Sequence, residues 1–125
     1  MLLGIDYGLR NIGLAVSEGD FATPIGTVKV KNVKEALTAV SQIVSKWDIS
    51  KIVVGVSEGK SKASALAFGT KLKSMLTLPL DYIDETLSSH EARTLRTKNR
   101  LEKDKEHAQA AAVILQRWLD SRSEI

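Results

Sequence analysis

The sequence predicts an α/β fold: a mixed five-stranded sheet, three strands antiparallel at the start and then β-α-β units, with helices on its faces. Three observations predict it. Three short apolar runs open the chain, the first two joined by a tight Gly-containing connection. The apolar period then alternates between helical and strand-like spacing. Finally, 125 residues with 43% hydrophobic content suit a single domain, 1–125, that can bury a real core.

The elements follow in order. Residues 2–7 (LLGIDY) are apolar with one acid near the end, and Gly8 breaks the run. Residues 12–17 (IGLAVS) form a second strand, and 25–30 a third with partial alternation. Val33, Ala36, Leu37, Val40, Val44 and Trp47 then fall at helical spacing, which predicts a helix over 33–47. Lys51 to Val56 is a continuous apolar run, typical of a strand buried on both faces. A second helix fits Ser61 to Met75, stopping before Pro79, and residues 80–84 (LDYID) form the last strand. Ser88 with Glu91 resembles a capping box that opens a short helix to about Thr97. After a linker rich in Lys, Asn and Arg, the final helix is expected from about Lys103 to Leu119. Its apolar stripe is Ala108, Ala111, Ala112, Leu115, Trp118 and Leu119.

Composition narrows the function classes. Cysteine is absent, which excludes disulfides and thiolate metal sites and favours a reducing compartment. The N-terminus lacks the basic start and apolar run of a signal peptide, and no segment approaches a membrane span. A cytoplasmic protein without membrane partners is expected. Net charge is only +3, yet residues 93–105 gather Arg93, Arg96, Lys98, Arg100, Lys103 and Lys105 against Glu102 and Asp104. Such a basic arm is an electrostatic footprint for nucleic-acid phosphates, and equally the look of a solvated surface.

Three features could carry chemistry. Asp6 is an acid inside an otherwise apolar central strand, which is costly unless a cation, a basic partner or an open strand end compensates it. The plainer alternative is an acid bonded to turn amides. Asp84 and Glu85 end the last strand, where ligand-binding groups of α/β sheets gather; capping of the next helix would explain them too. His107, at the start of the final helix, could look towards the sheet edge that carries Asp6 and bind a metal or move a proton. A helical His is otherwise commonly structural. Acids converging on one strand end could hold two divalent cations about 4 Å apart for phosphodiester hydrolysis, and Mg²⁺ needs few carboxylates because it keeps its waters.

Four blocks resemble the YqgF family, the Holliday-junction-resolvase-like or pre-16S rRNA nucleases. Residues 4–17 (GIDYGLRNIGLAVS) resemble its opening GxDYGxxxIGxAxS, and 52–59 (IVVGVSEG) its buried central strand. Residues 84–92 (DETLSSHEA) resemble its acidic segment, and 107–120 (HAQAAAVILQRWLD) its closing helix. The resemblance implies a ribonuclease H-like fold and a nuclease dependent on Mg²⁺ or Mn²⁺. The implied task is to trim the 5′ end of the small-subunit rRNA precursor, with resolution of four-way DNA junctions as the alternative. By position, Asp6 and Glu85 match the family's first two acids, and His107 stands where the third acid falls. Some related resolvases use His there. Asp6, Glu85 and His107 are therefore the expected catalytic and metal-binding set, with Arg10, Arg93, Arg96, Lys98 and Arg100 as the expected nucleic-acid contacts.

Departures from the family pattern qualify these roles. Asp104 or Glu106 could substitute for the missing acid, and a short loop after Gly55 makes Glu58 a spare ligand. Asn11 and Thr86 stand where the family often carries Arg. Replacement of the third acid leaves open a nucleic-acid-binding homologue without catalysis. The Gly-Ile-Asp-Tyr-Gly start also resembles the first phosphate loop of actin- and Hsp70-type ATPases, which need two such domains. The expected partner is structured nucleic acid, an rRNA precursor or branched DNA, and the chain is a monomer or a homodimer.

Overall fold

The computed structural model describes residues 1–56, 60–84 and 100–123. Strands β1 (Leu2–Asp6), β2 (Asn11–Ser17) and β3 (Ala22–Lys29) are followed by helix α1 (Val33–Lys46) and strand β4 (Lys51–Val56). Helix α2 (Lys60–Leu76), strand β5 (Leu80–Asp84) and helix α3 (Arg100–Ser123) complete the chain. The sheet has five strands in the order β3-β2-β1-β4-β5. β1 pairs antiparallel with β2, as does β2 with β3, while β1, β4 and β5 run parallel. β1 is thus the middle strand, and Asp6 lies at its carboxyl end rather than at a sheet edge.

Strand alternation divides the core between two faces. Leu3 and Ile5 of β1, Ile12, Leu14 and Val16 of β2, and Ile52, Val54 and Val56 of β4 pack with Val40 of α1 and Phe68 and Leu72 of α2. Ala15, Val53, Ala111, Ile114, Leu115 and Trp118 form the other cluster, beneath α3. Burying side chains such as Ile114 and Leu115, both fully inaccessible, contributes about 1.5–3 kcal/mol each.

Helix α1 starts where Asn32 caps it: the Asn32 side-chain oxygen accepts from the Glu35 N–H (2.9 Å). It ends at Trp47, after which Asp48 adopts a left-handed φ of 53°. Helix α3 can lie close on the sheet because Gly4 has no side chain. A Cβ there would stand 2.7 Å from the Leu115 Cβ and 3.0 Å from the Ala111 carbonyl oxygen. Polar contacts fix the far end of α3. Trp118 Nε1 donates to Asp81 Oδ2 (3.0 Å), the same oxygen that pairs with Lys51 Nζ (3.0 Å). Gln116 accepts from the Ala22 N–H and donates to the Asp20 carbonyl, both at 2.9 Å.

Two elements, β3 and α3, differ most from expectation. β3 begins at Ala22 instead of residue 25, because an edge strand tolerates Pro24 and the bulge between Leu14 and Ala15 absorbs the irregularity. α3 runs from Arg100 to Ser123, so part of the expected basic linker is helix. Charged helix-forming residues extend it beyond its apolar stripe, with no Gly or Pro to stop it. The short helix expected from Ser88 to Thr97 lies outside the described residues.

Candidate active site

Alternation sets the direction of Asp6. Ile5 and Tyr7 belong to the α1/α2 core, where Tyr7 stacks on Phe68 with ring centroids 4.4 Å apart. Asp6 between them must point to the opposite face, under α3. Its register partners are Gly13 on β2 and Gly55 on β4. The acid is therefore flanked on both sides by residues without side chains.

The gap at Gly13 has a second use. A Cβ on Gly13 would collide with the backbone carbonyl oxygen of His107, so only glycine lets α3 settle at this height. His107 lies about two turns into α3, rather than at its start. Its Nδ1 stands 3.9 Å from Asp6 Oδ2, within ion-pair range and too long for a hydrogen bond. The imidazole is 38% exposed and the carboxylate 16%, so the pair opens to solvent at the rim of the sheet.

Of the residues expected to form the site, the fold brings together Asp6 and His107. Arg10 is exposed in the β1–β2 turn, beside exposed Leu9. Arg100 opens α3, and Asp104 lies one turn before His107 on the same helix. Glu85 directly follows the end of β5, but it lies outside the described residues, as do Glu58, Arg93, Arg96 and Lys98. Among the described residues, no three His, Cys, Asp or Glu stand close enough to hold a metal ion by themselves. Asp6 and His107 supply an oxygen and a nitrogen donor on one face of the sheet, and this much fits a divalent cation. The flanking glycines were not identified from sequence. A Gly within each apolar run was the available signal.

The RuvX family, described as Holliday junction resolvase, matches residues 1–121. The chain belongs to this family. Relatives named "Putative pre-16S rRNA nuclease" match along nearly the whole chain. One from Anaeromyxobacter sp. (strain K) is 36% identical, covering 97% of each chain. Another from Acaryochloris marina is 33% identical, covering 96% of this chain and 92% of the relative. A third, from Hydrogenovibrio crunogenus, is 36% identical over 97% and 94%. Among solved structures, Thermus thermophilus RuvC in complex with a Holliday junction substrate superposes with a TM-score of 0.66 at 16% identity. That match covers 98% of this RuvX-family chain and 94% of RuvC. The Fowlpox virus resolvase in complex with Holliday junction DNA superposes at 0.56 with 12% identity, over 96% and 97%. These likenesses show the fold expected from the sequence, the ribonuclease H-like mixed sheet, and the family this chain belongs to is one of nucleases. Among the described residues, no helix is long and apolar enough to cross a membrane.

Proposed function

We propose that this RuvX-family chain is a divalent-metal-dependent endonuclease that trims the 5′ end of pre-16S rRNA in the cytoplasm. The observation that supports it most directly is the Asp6–His107 pair at the carboxyl end of the central strand, flanked by Gly13 and Gly55. The name carried by the curated relatives supports the choice of RNA.

Asp6, Glu85 and His107 are the proposed metal ligands, with His107 Nδ1 taking the place of the third carboxylate. Mg²⁺ or Mn²⁺ held there supplies charge neutralisation at the phosphodiester and a more acidic water. Asp6, largely withdrawn from solvent, exerts a stronger field on that spot than an exposed acid would. Arg10 and the arm residues Arg93, Arg96, Lys98 and Arg100 hold the flanking backbone by charge-assisted contacts.

The test is cleavage of a 5′-extended precursor RNA and of a four-way DNA junction, each with Mg²⁺, Mn²⁺ or a chelator. RNA cut only with metal is the expected result. Asp6→Asn should lower the rate on the order of a hundredfold or more while its circular dichroism and Tm stay near wild type. Full activity in that variant would remove the reading. The likeness to RuvC favours a second reading, junction resolution by a symmetric dimer, and cleavage of the junction but not the RNA would select it. Tight binding without cleavage of either would select a catalytically impaired homologue.

A further inference from the structure

We propose that Lys29, Lys31 and Lys34, together with Arg10, form a second phosphate-binding strip on the β3 side of the site. This strip would carry the substrate backbone around the open rim of the sheet. The proposal rests on the nuclease reading for the identity of what is bound.

Topology places these residues at the site's end of the molecule. β3 runs antiparallel to β2, so its last residue, Lys29, pairs with Asn11 at the start of β2. One row further in, Asp6, Gly13 and Thr27 stand side by side on three strands. Ordinary strand spacing puts Thr27 about 10 Å from Asp6, with Lys29 one pleat beyond it. Val28 and Val30 pack against the α1/α2 core, so alternation assigns Lys29 to the face shared by Asp6 and His107. The Val30 N–H donates to the Arg10 carbonyl (2.9 Å), which fixes the Arg10 turn to this segment. α1 begins within the next residues and brings Lys31 and Lys34 alongside.

All four cations are exposed. Glu35 lies among them, but its Oε1 accepts from the Lys31 N–H (2.9 Å) and so serves the helix start. β3 and β5 are the two edges of the sheet, and the basic arm of the sequence follows β5. Backbone contacts of this kind position a substrate without reading its sequence, which suits a nuclease that must present one bond to a fixed site.

Binding of labelled precursor RNA in chelator, between about 50 and 200 mM KCl, tests this without requiring cleavage. The variant K29Q/K31Q/K34Q is compared with K46Q/K71Q/K73Q. The latter makes the same charge change at exposed lysines away from the rim, near the end of α1 and along the second half of α2. The strip variant should bind on the order of tenfold more weakly, with a salt slope smaller by about 2. The comparison variant should stay near wild type. If the strip variant binds like wild type, or both variants weaken equally, the strip is no site. If the wild-type protein itself fails to bind RNA, the nuclease reading falls and the strip with it.

Discussion

The backbone carbonyl of His107 rests on Gly13, and Gly13 is the β2 partner of Asp6. One glycine thus sets how near the helix brings its imidazole to the strand's carboxylate. A carbonyl cannot rotate away as a side-chain tip can, so a methyl at Gly13 must lift this part of α3. Gly13→Ala should cost about 1–3 kcal/mol in a denaturant titration. Its cleavage rate should fall by more than lost stability explains, because His107 moves away from Asp6. Gly19→Ala, with open space around its Cβ position, should be neutral within about 0.5 kcal/mol. Wild-type behaviour in Gly13→Ala would show that α3 adjusts freely.

The imidazole at His107 invites a substitution in the opposite sense. His107→Asp places a second carboxylate on the helix above Asp6. Without metal, the two negative charges should lower stability by about 1–2 kcal/mol at the dielectric of a half-open site. Added Mg²⁺ should then raise the Tm of His107→Asp more than that of wild type, because a cation relieves the repulsion. Thermal melts across a Mg²⁺ series check this independently of turnover. Equal Mg²⁺ responses in the two proteins would argue against a cation between positions 6 and 107.

Much of the frame was legible because each element carries its own periodicity. The run Lys51–Val56 announced a strand buried on both faces, and Val33 to Trp47 a helix. Asp6 stands out in the sequence as a candidate because an acid inside an apolar run needs a compensating partner. His107 was singled out by position and family resemblance, since nothing in the spacing of a helix says which strand it crosses. The roles of Gly13 and Gly55 were hidden for the same reason. Period two assigns a residue to a face, but only register reveals its neighbour across the strands. The basic strip was missed because Lys29, Lys31 and Lys34 are split between a strand, a connection and a helix, and only the turn at Arg10 joins them.

Tyr7 gives the molecule a pH dependence with a definite sign. Burial raises its hydroxyl pKa above the ordinary value, while its ring stacks on Phe68. Below the ordinary tyrosine pKa both folded and unfolded chains keep the proton, and this contribution to stability is fully present. As pH rises past about 10, the unfolded chain ionises first, and the contribution is lost until the folded pKa is passed. Tyr7→Phe keeps the stack and removes the titration. Its unfolding free energy should therefore decline less steeply than wild type above about pH 10, with the two nearly equal near neutrality. Parallel alkaline profiles in urea titrations would exclude Tyr7 as the cause.

A last prediction concerns two residues of different type with nearly the same φ. Asp48 after α1 has φ 53° and Thr77 after α2 has φ 54°, both in the left-handed region. The Thr77 N–H donates to the Lys73 carbonyl (2.9 Å), closing the end of α2 much as the Trp47 N–H closes α1 on Ile43. Asp tolerates this conformation, whereas a β-branched side chain crowds the neighbouring backbone. Thr77 is exposed, so its side chain gives little packing in return. Thr77→Asn should therefore stabilise the fold by about 0.5–1 kcal/mol, or a few degrees in Tm, and Asp48→Asn should change little. Thr77 precedes β5, whose carboxyl end is the one nearest the site, so cleavage should be unaffected. A Thr77→Asn protein no more stable than wild type would mean that the hydrogen bond from Thr77 Oγ1 to the Leu76 carbonyl (2.6 Å) offsets the strain.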